Sequence, residues 1–177
     1  AEDLGALLAS KGLEVVFGGG NVGLMRVVSD TTIAHGGKVT GIALKSLDVF
    51  ELTNPNITET IITHSLFERK EKFLSISDAF IVMPGGVGSM DELLEVMVSN
   101  HLGEINKPIG ILNINGYYDS FMDWLQHAVD EQFVSAENQQ RVLISNDPAE
   151  LLEMILIAEM PDPDSWFERL NTDPTPS

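Results

Sequence analysis

The sequence predicts an α/β protein in which a doubly wound parallel sheet lies between layers of helices. Three observations predict this fold class. The strand-like segments are short and apolar throughout, as in strands that are buried on both faces. Amphipathic segments with helical spacing alternate with these strands along the chain. Two glycine-rich segments each follow an expected strand and precede an expected helix.

The first half of the chain is expected to form three helices and two strands. Leu4 and Leu8 recur at helical spacing. Asn21 is expected to cap the second helix, with Leu24 and Val28 on its apolar face. The expected elements are a helix over 2–11, a strand over 13–17, a helix from 21 to about 34, a strand over 39–44 and a helix over 65–75.

The second half continues the alternation of strands and helices. The expected elements are a strand over 78–83, a helix from Met90, a strand over 109–113, a helix over 121–129, a strand over 142–144 and a helix over 149–158. Leu93, Leu94, Met97 and Val98 are the core candidates of the helix from Met90. Since no repeat or long linker interrupts the pattern, we expect one three-layer Rossmann-like domain over 1–160 and an acidic, proline-rich tail over 161–177.

The composition narrows the possible partners. The 177 residues carry a formal net charge of −17, which argues against a general nucleic-acid binder and against a binder of anionic membranes. A small anionic ligand needs only a few local donors and stays possible. The chain has no cysteine and no run of 18 apolar residues, and its first residues lack the basic region and cleavage site expected of a signal peptide. We therefore expect a cytoplasmic protein.

The two glycine-rich segments are GGGNVG at 18–23 and PGGVGS at 84–89. Each could bind a phosphate through backbone N–H groups and a helix N-terminus, or could merely allow tight packing of strand and helix. The first is followed by Lys45 where a dinucleotide site would place an acidic residue, and the second lacks the lysine of a P-loop. A mononucleotide or sugar phosphate is therefore the favoured ligand.

Several polar residues are candidates for chemistry. Asp91 and Glu92 are expected in the first turn of the helix after the second glycine segment, where they would stabilise its dipole or supply a catalytic carboxylate. Arg69, Lys70 and Lys72, taken alone, are interpreted as a solvated helix face. The remaining candidates are given structural interpretations: scattered histidines without metal-ligand spacing, Ser89 as a cap or phosphate contact, and Tyr117, Tyr118, Phe121 and Trp124 as core or oligomer contacts.

Taken together, the motifs resemble the Lonely Guy family of cytokinin riboside 5′-monophosphate phosphoribohydrolases, formerly labelled lysine decarboxylases. The resemblance rests on VFGGGNVGLM at 16–25, ERK at 68–70, PGGVGSMDE at 84–92 and NINGYY at 113–118, and it extends to about Leu152. The specific element is the family motif P-G-G-x-G-T-x-x-E, which follows an R-K pair in the same order here. Ser89 stands at the threonine position and Arg26 at a position that is often glycine.

The resemblance implies roles for individual residues. Arg69 and Glu92 match the catalytic pair of the family. The residues implied to bind the substrate are Gly18, Gly19, Gly20, Glu51, Lys70, Gly85, Gly86, Val87, Gly88, Ser89, Met90 and Asp91. The family's first strand has no counterpart here, so we expect a truncated or otherwise incomplete N-terminus.

The implied activity is hydrolysis of the N-glycosidic bond of a purine nucleoside 5′-monophosphate to free base and ribose 5-phosphate. We expect no metal or organic cofactor, a homodimer or higher homo-oligomer, and no nucleic-acid or membrane partner. Two alternatives are a Rossmann-like protein that binds a nucleotide or molybdenum cofactor without hydrolysis, and a structural oligomer in which the glycine turns only pack.

Overall fold

The computed structural model describes residues 1–48 and 54–160. These residues form two compact units, one over 1–77 and one beginning at Asp78. The first unit contains α1 (Glu2–Ser10), β1 (Val15–Phe17), α2 (Gly23–Ala34), β2 (Val39–Leu44), α3 (Lys45–Asp48), β3 (Glu59–Thr63) and α4 (Leu66–Ile76). The second contains β4 (Phe80–Val82), α5 (Val87–His101), β5 (Ile109–Leu112), a 3₁₀ turn (Ile114–Gly116), α6 (Asp119–Asp130), α7 (Ala136–Gln140), β6 (Val142–Ser145) and α8 (Pro148–Leu156).

The first unit is built on a parallel sheet with the order β1-β2-β3. Val15 pairs with Val39, and Thr40 pairs with Glu59, which makes β2 the central strand. Every residue of β2 but the last is buried, as expected for a strand covered on both faces. Helix α1 packs closely on α2, because a Cβ added at Gly5 would lie only 2.8 Å from the carbonyl oxygen of Val28.

The second unit repeats this plan with a parallel sheet of order β4-β5-β6. All four residues of its central strand β5 are buried. Helix α8 lies directly on β5, where Gly110 leaves space for the side chains of Leu151 and Ile155. The carboxylate of Asp147 accepts hydrogen bonds from the N–H groups of Ala149 and Glu150 at 2.8 and 2.9 Å, so this residue caps α8.

The parallel strands and their alternation with helices confirm the predicted Rossmann-like α/β fold class. Strand β2 has the predicted bounds. Strand β3, over Glu59–Thr63, was not predicted: it lies at the sheet edge, and four of its five residues are not fully buried, so it lacks the apolar run that marked the other strands. The short helices α3 and α7 were not predicted either.

Two predictions about helix α2 are wrong. The residue that caps it is Val22, whose side chain makes no cap hydrogen bond, and not Asn21. Leu24 is 42% exposed, whereas Val28 is buried as predicted. The first helical residue is Gly23, which has a positive φ of 56°, so the helix begins one residue later than an Asn21 cap requires.

Helix α5 begins earlier than predicted. Its first residue is Val87 rather than Met90, because Val87, Gly88 and Ser89 already have helical backbone. Leu93 is buried as predicted and is joined in the core by Val96. Leu94 and Val98, both predicted to lie in the core, are 39% and 53% exposed. Over the described residues, no helix combines the length and apolarity that crossing a membrane requires.

Candidate functional site

The first glycine segment and Arg69 lie together in the first unit. The Nε of Arg69 donates a hydrogen bond to the carbonyl oxygen of Ile42, 3.0 Å away in β2. Its guanidinium group then lies over Gly18, where an added Cβ would be 2.5 Å from Nη2. The guanidinium also stacks over the ring of Phe73, 5.0 Å from the ring centroid. Gly18 is therefore a glycine because an arginine side chain occupies the space beside it.

This position of Arg69 corrects the interpretation of the basic residues as one solvated helix face. Arg69 is partly buried, since it turns from the first half of α4 towards the central strand β2. Lys70 lies on a neighbouring part of the helix surface, with its ammonium nitrogen 5.9 Å from the ring centroid of Phe67. Arg69 and Lys70 are neighbours in a run of basic residues, but Arg69 contacts β2 and Phe73, whereas Lys70 lies near Phe67.

The backbone of the first glycine segment is held in place by contacts with neighbouring elements. Gly19 has a positive φ of 76° and packs against Ala43, where its missing Cβ allows the close approach. Its carbonyl oxygen accepts a hydrogen bond of 2.9 Å from the N–H of Asn54. Gly20 lies under the thioether of Met25, which an added Cβ would strike at 2.6 Å. This turn is thus fixed by β2, by Asn54 and by the start of α2.

Asn54 is an organising residue that the sequence analysis did not single out. Its side chain is buried, and its Nδ2 donates to Ser29 Oγ and to Asp30 Oδ1, both at 2.9 Å. The hydrogen bond from Asn54 is the main reason that the pKa of Asp30 lies below its usual value; burial opposes this shift, and Arg26 adds to it. Nothing in the local sequence distinguishes this asparagine from an ordinary loop residue.

The second glycine segment lies at the start of α5 in the second unit. The helix is capped by Gly86, and its first internal hydrogen bond runs from the N–H of Met90 to the carbonyl oxygen of Gly86 at 3.2 Å. The N–H groups of Val87, Gly88 and Ser89 have no acceptor within the helix, which is the arrangement that favours an anion. Val87 is 90% exposed, so the helix start is open to solvent.

Asp91 and Glu92 lie in the second turn of α5, not in the first turn as predicted. The correction follows from the helix start at Val87. Glu92 is therefore one turn beyond Ser89, on the same helix face, with about 5–6 Å between Cβ atoms three residues apart. Asp91 is exposed, whereas Glu92 is half-buried. Ser89 packs its side chain against the Cα of Gly85, so any larger residue at position 85 would collide with the hydroxyl group.

The hydroxyl groups of Tyr117 and Tyr118, two residues that are predicted to be core or oligomer contacts, hold the second glycine segment. The hydroxyl group of Tyr117 donates to the carbonyl oxygen of Gly85 at 2.6 Å, and that of Tyr118 donates to the carbonyl oxygen of Met83 at 2.8 Å. Tyr118 is buried, which confirms the core interpretation for this residue. Burial raises the pKa of its hydroxyl group, Tyr117 adds to this shift, and a hydrogen bond with the Gly85 backbone opposes it.

The other candidates are distributed as follows. Glu51 and the tail over 161–177 lie outside the described residues. Within 1–48 and 54–160, no group of three or more His, Asp or Glu side chains is arranged to hold a metal ion. His101 Nδ1 lies close to the side-chain amide of Asn138, and His35 Nδ1 to the carbonyl oxygen of Thr31, which fits the structural interpretation of these two histidines.

The fold and the two glycine turns define a Rossmann-like protein with features suited to a phosphate ester. A family model described as "Possible lysine decarboxylase" matches residues 25–155. Arabidopsis thaliana "Cytokinin riboside 5′-monophosphate phosphoribohydrolase LOG2" is 38% identical over 95% of this chain and 78% of its own length. The chain therefore belongs to the family that this model, described as "Possible lysine decarboxylase", represents.

A second relative agrees with this assignment, and a solved structure shares the fold. The Oryza sativa protein "Probable cytokinin riboside 5′-monophosphate phosphoribohydrolase LOGL6" is 38% identical over 88% of this chain, which spans 62% of that relative's length. The molybdenum cofactor binding protein from Rippkaea orientalis has a TM-score of 0.64 at 21% identity, over 88% of this chain and 83% of its own. This structural likeness concerns the fold.

Proposed function

We propose that the protein hydrolyses the N-glycosidic bond of purine nucleoside 5′-monophosphates, releasing the free base and ribose 5-phosphate. The observation that carries the proposal is the start of α5, where N–H groups without helical acceptors lie one turn before the half-buried Glu92. The names of the relatives support the same activity. The substrate class is a 5′-monophosphate of adenosine or of an N6-prenylated adenosine.

In the proposed reaction, the bond between the anomeric carbon and the base nitrogen breaks, and the electron pair leaves with the base. Positive charge then develops on the ribose, as in other glycoside hydrolyses. Glu92 stabilises this charge and removes a proton from the attacking water, whose oxygen bonds to the anomeric carbon. The proton that Glu92 takes from the water ends on the leaving base, so one water is consumed, Glu92 returns to its ionised form, and free base and ribose 5-phosphate are released.

The second glycine segment holds the 5′-phosphate, and Arg69 acts on the nucleoside part of the substrate. Phosphate binding at a helix N-terminus fixes one end of the ligand and so places the anomeric carbon near Glu92. Arg69 holds the substrate through charge-assisted hydrogen bonds and assists departure of the base. The proposed binding residues are Gly18, Gly19, Gly20, Glu51, Lys70, Gly85, Gly86, Val87, Gly88, Ser89, Met90 and Asp91.

The proposal extends to the setting of the reaction. The protein acts as a homodimer or larger homo-oligomer in the cytoplasm, on a small-molecule substrate and without a metal or organic cofactor. Residues 1–160 work as one phosphoribohydrolase domain, and 161–177 form an acidic tail. A protein that binds its ligand without hydrolysis is the alternative, since a molybdenum cofactor binding protein shares the fold.

The decisive experiment is to incubate the protein with adenosine monophosphate and with isopentenyladenosine monophosphate and to measure the released base by chromatography. We expect base release by the wild-type protein. Glu92→Gln should lower kcat by at least about 100-fold, the usual contribution of a general base. Glu95→Gln is the matched control, because it removes a carboxylate from the next turn of the same helix and should leave kcat close to the wild-type value.

Three results would contradict the proposal. Undiminished base release by Glu92→Gln would remove Glu92 from the mechanism. Binding of both nucleotides without release of base would favour the non-hydrolytic alternative. Failure to bind either nucleotide would favour a structural role for the glycine turns.

A further inference from the structure

Tyr117 lies 32 positions from Gly85 in sequence, yet its hydroxyl group forms a 2.6 Å hydrogen bond with the Gly85 carbonyl oxygen. We propose that Tyr117 is a positioning residue for phosphate recognition, because this hydrogen bond fixes the orientation of the peptide between Gly85 and Gly86. The inference rests on the proposed phosphate role of the second glycine segment.

The geometry of a peptide bond explains how the hydroxyl group acts at a distance. In a trans peptide the carbonyl oxygen and the N–H point in opposite directions, and the described chain contains no cis peptide. When Tyr117 holds the Gly85 carbonyl oxygen, the N–H of Gly86 must point away from the tyrosine. Gly86 is the N-cap residue of α5, so its N–H lies next to the first helical turn, whose N–H groups have no acceptor within the helix.

Because residues 85 and 86 are both glycine, the peptide between them needs the restraint that the Tyr117 hydrogen bond supplies. Gly86 has open space around its Cα, and glycine peptides rotate more freely than those of other residues. Without Tyr117, the peptide could rotate and direct the Gly85 carbonyl oxygen towards the ligand. A carbonyl oxygen there would repel a phosphate group, whereas an N–H would bind it.

The segment that carries Tyr117 is itself firmly built. The side-chain oxygen of Asn113 accepts a 2.7 Å hydrogen bond from the N–H of Tyr118, and the Asn113 amide donates to Asp119 at 2.7 Å. Gly116 adopts a positive φ of 69°, and an added Cβ there would collide with the Asp119 carboxylate. The Tyr117 ring packs edge-on against the Tyr118 ring, with 5.0 Å between centroids.

Tyr118 provides a contrasting case in the same turn. Its hydroxyl group donates to the carbonyl oxygen of Met83, but the following residue is Pro84, which has no N–H to offer a ligand. Tyr118 is 2% exposed, whereas Tyr117 is 55% exposed. The buried hydroxyl group of Tyr118 contacts the backbone of Met83 and Gly85 and acts on stability, whereas the exposed hydroxyl group of Tyr117 acts on the direction of the Gly86 N–H.

The test compares Tyr117→Phe and Tyr118→Phe, each of which removes one hydroxyl group. The first measurement is the ratio of kcat/KM for adenosine monophosphate to that for adenosine, which isolates the contribution of the phosphate. Tyr117→Phe should lower this ratio by about three- to tenfold, the value of one hydrogen bond, with little change in Tm. Tyr118→Phe should lower Tm more and the ratio less.

The second measurement is binding of ribose 5-phosphate, followed through the amide resonance of Gly86 by NMR. The wild-type protein should show a ligand-dependent shift of this resonance, and Tyr117→Phe should need about three- to tenfold more ligand for the same shift. This readout does not depend on hydrolysis. If no base is released but the binding difference is found, the proposed activity fails and the role of Tyr117 stands.

Either of two outcomes would overturn the inference. One is a wild-type Gly86 resonance that does not respond to ribose 5-phosphate. The other is a pair of variants whose phosphate ratios fall equally and in proportion to their losses of Tm, as expected if both hydroxyl groups only stabilise the fold. If base is released normally in that case, the proposed hydrolysis stands while the role of Tyr117 fails.

Discussion

Arg69 and Gly18 are far apart in sequence but adjacent in the fold, and the position of the Arg69 guanidinium requires glycine at position 18. The guanidinium group is held by the Ile42 carbonyl oxygen and by the Phe73 ring, which leaves it little freedom to move aside. The absence of a side chain at Gly18 is what admits it. A substitution at this glycine should therefore act on Arg69 before it acts on the fold.

We expect Gly18→Ala to lower kcat/KM for the nucleotide by about 100-fold, because a displacement of about 1 Å in a catalytic group can cost that much. The new methyl group would lie 2.5 Å from the guanidinium nitrogen. Initial-rate kinetics in the wild-type and Arg69→Ala backgrounds would measure the effect. In the Arg69→Ala background, the same substitution should be nearly harmless; a full loss there would show that the methyl group acts on something else.

At this scale, the motifs predict candidate site residues but do not reveal the environment of each side chain. The charge pattern predicted a solvated face for Arg69, since burial of one arginine by a distant strand leaves no local trace. The tyrosines were expected to be core or oligomer contacts, because hydrogen bonds across more than 30 residues cannot be read from spacing. The roles of Asn54 and Tyr117 became visible only through their contacts.

Helix α4 begins with a capping arrangement that bears directly on Arg69. The hydroxyl group of Ser65 accepts a hydrogen bond from the N–H of Glu68 at 3.1 Å, and the Glu68 carboxylate accepts one from the N–H of His64 at 2.7 Å. Arg69 is the next residue along the chain. The cap therefore fixes the part of the helix that presents the guanidinium group to β2.

Ser65→Ala should lower the free energy of unfolding by about 1 kcal/mol, as for other helix caps, and should also lower kcat/KM severalfold. Ser135→Ala is the matched control, because Ser135 caps α7 through the N–H of Asn138 at 3.2 Å. It should cost stability without a specific loss of activity. Urea denaturation and initial-rate kinetics measure both effects. Equal activities at equal stability would contradict a positioning role for the α4 cap.

The errors at the scale of elements concern an edge strand and a helix start. Strand β3 was missed because an edge strand shows little of the apolar continuity that made β2 predictable to the residue. The start of α5 was predicted three residues late, since glycines usually indicate a turn rather than a first helical turn. The apolar pattern of the sequence predicts the bounds of buried elements. The bounds of edge strands and helix starts depend instead on local backbone geometry, which this pattern does not show.

At the scale of the whole molecule, charge and apolar exposure act against each other. The chain carries a formal net charge of −17, so two copies repel each other at low ionic strength. Large apolar side chains are nevertheless exposed, among them Phe67 at 82% and Phe133 at 86%. Apolar side chains of this size favour association where they form a contiguous surface.

We therefore expect self-association that strengthens with salt. The screening length falls from about 30 Å at 0.01 M to about 8 Å at 0.15 M ionic strength, which weakens repulsion between like-charged subunits. Light scattering at both salt concentrations should give a mean mass above the 19.3 kDa of one chain, larger at the higher concentration. A mass of one chain under both conditions would contradict the proposed homo-oligomer.

The pairing of Tyr117 and Tyr118 with one turn also has a spectroscopic consequence. The sequence contains only two tyrosines, and both hydroxyl groups bind backbone carbonyl oxygens of residues 83–85. Fluorotyrosine incorporated throughout the chain would therefore place every label in contact with this segment, one at the buried Tyr118 and one at the exposed Tyr117. Without a single engineered residue, the protein thus carries its own pair of reporters for events at the start of α5.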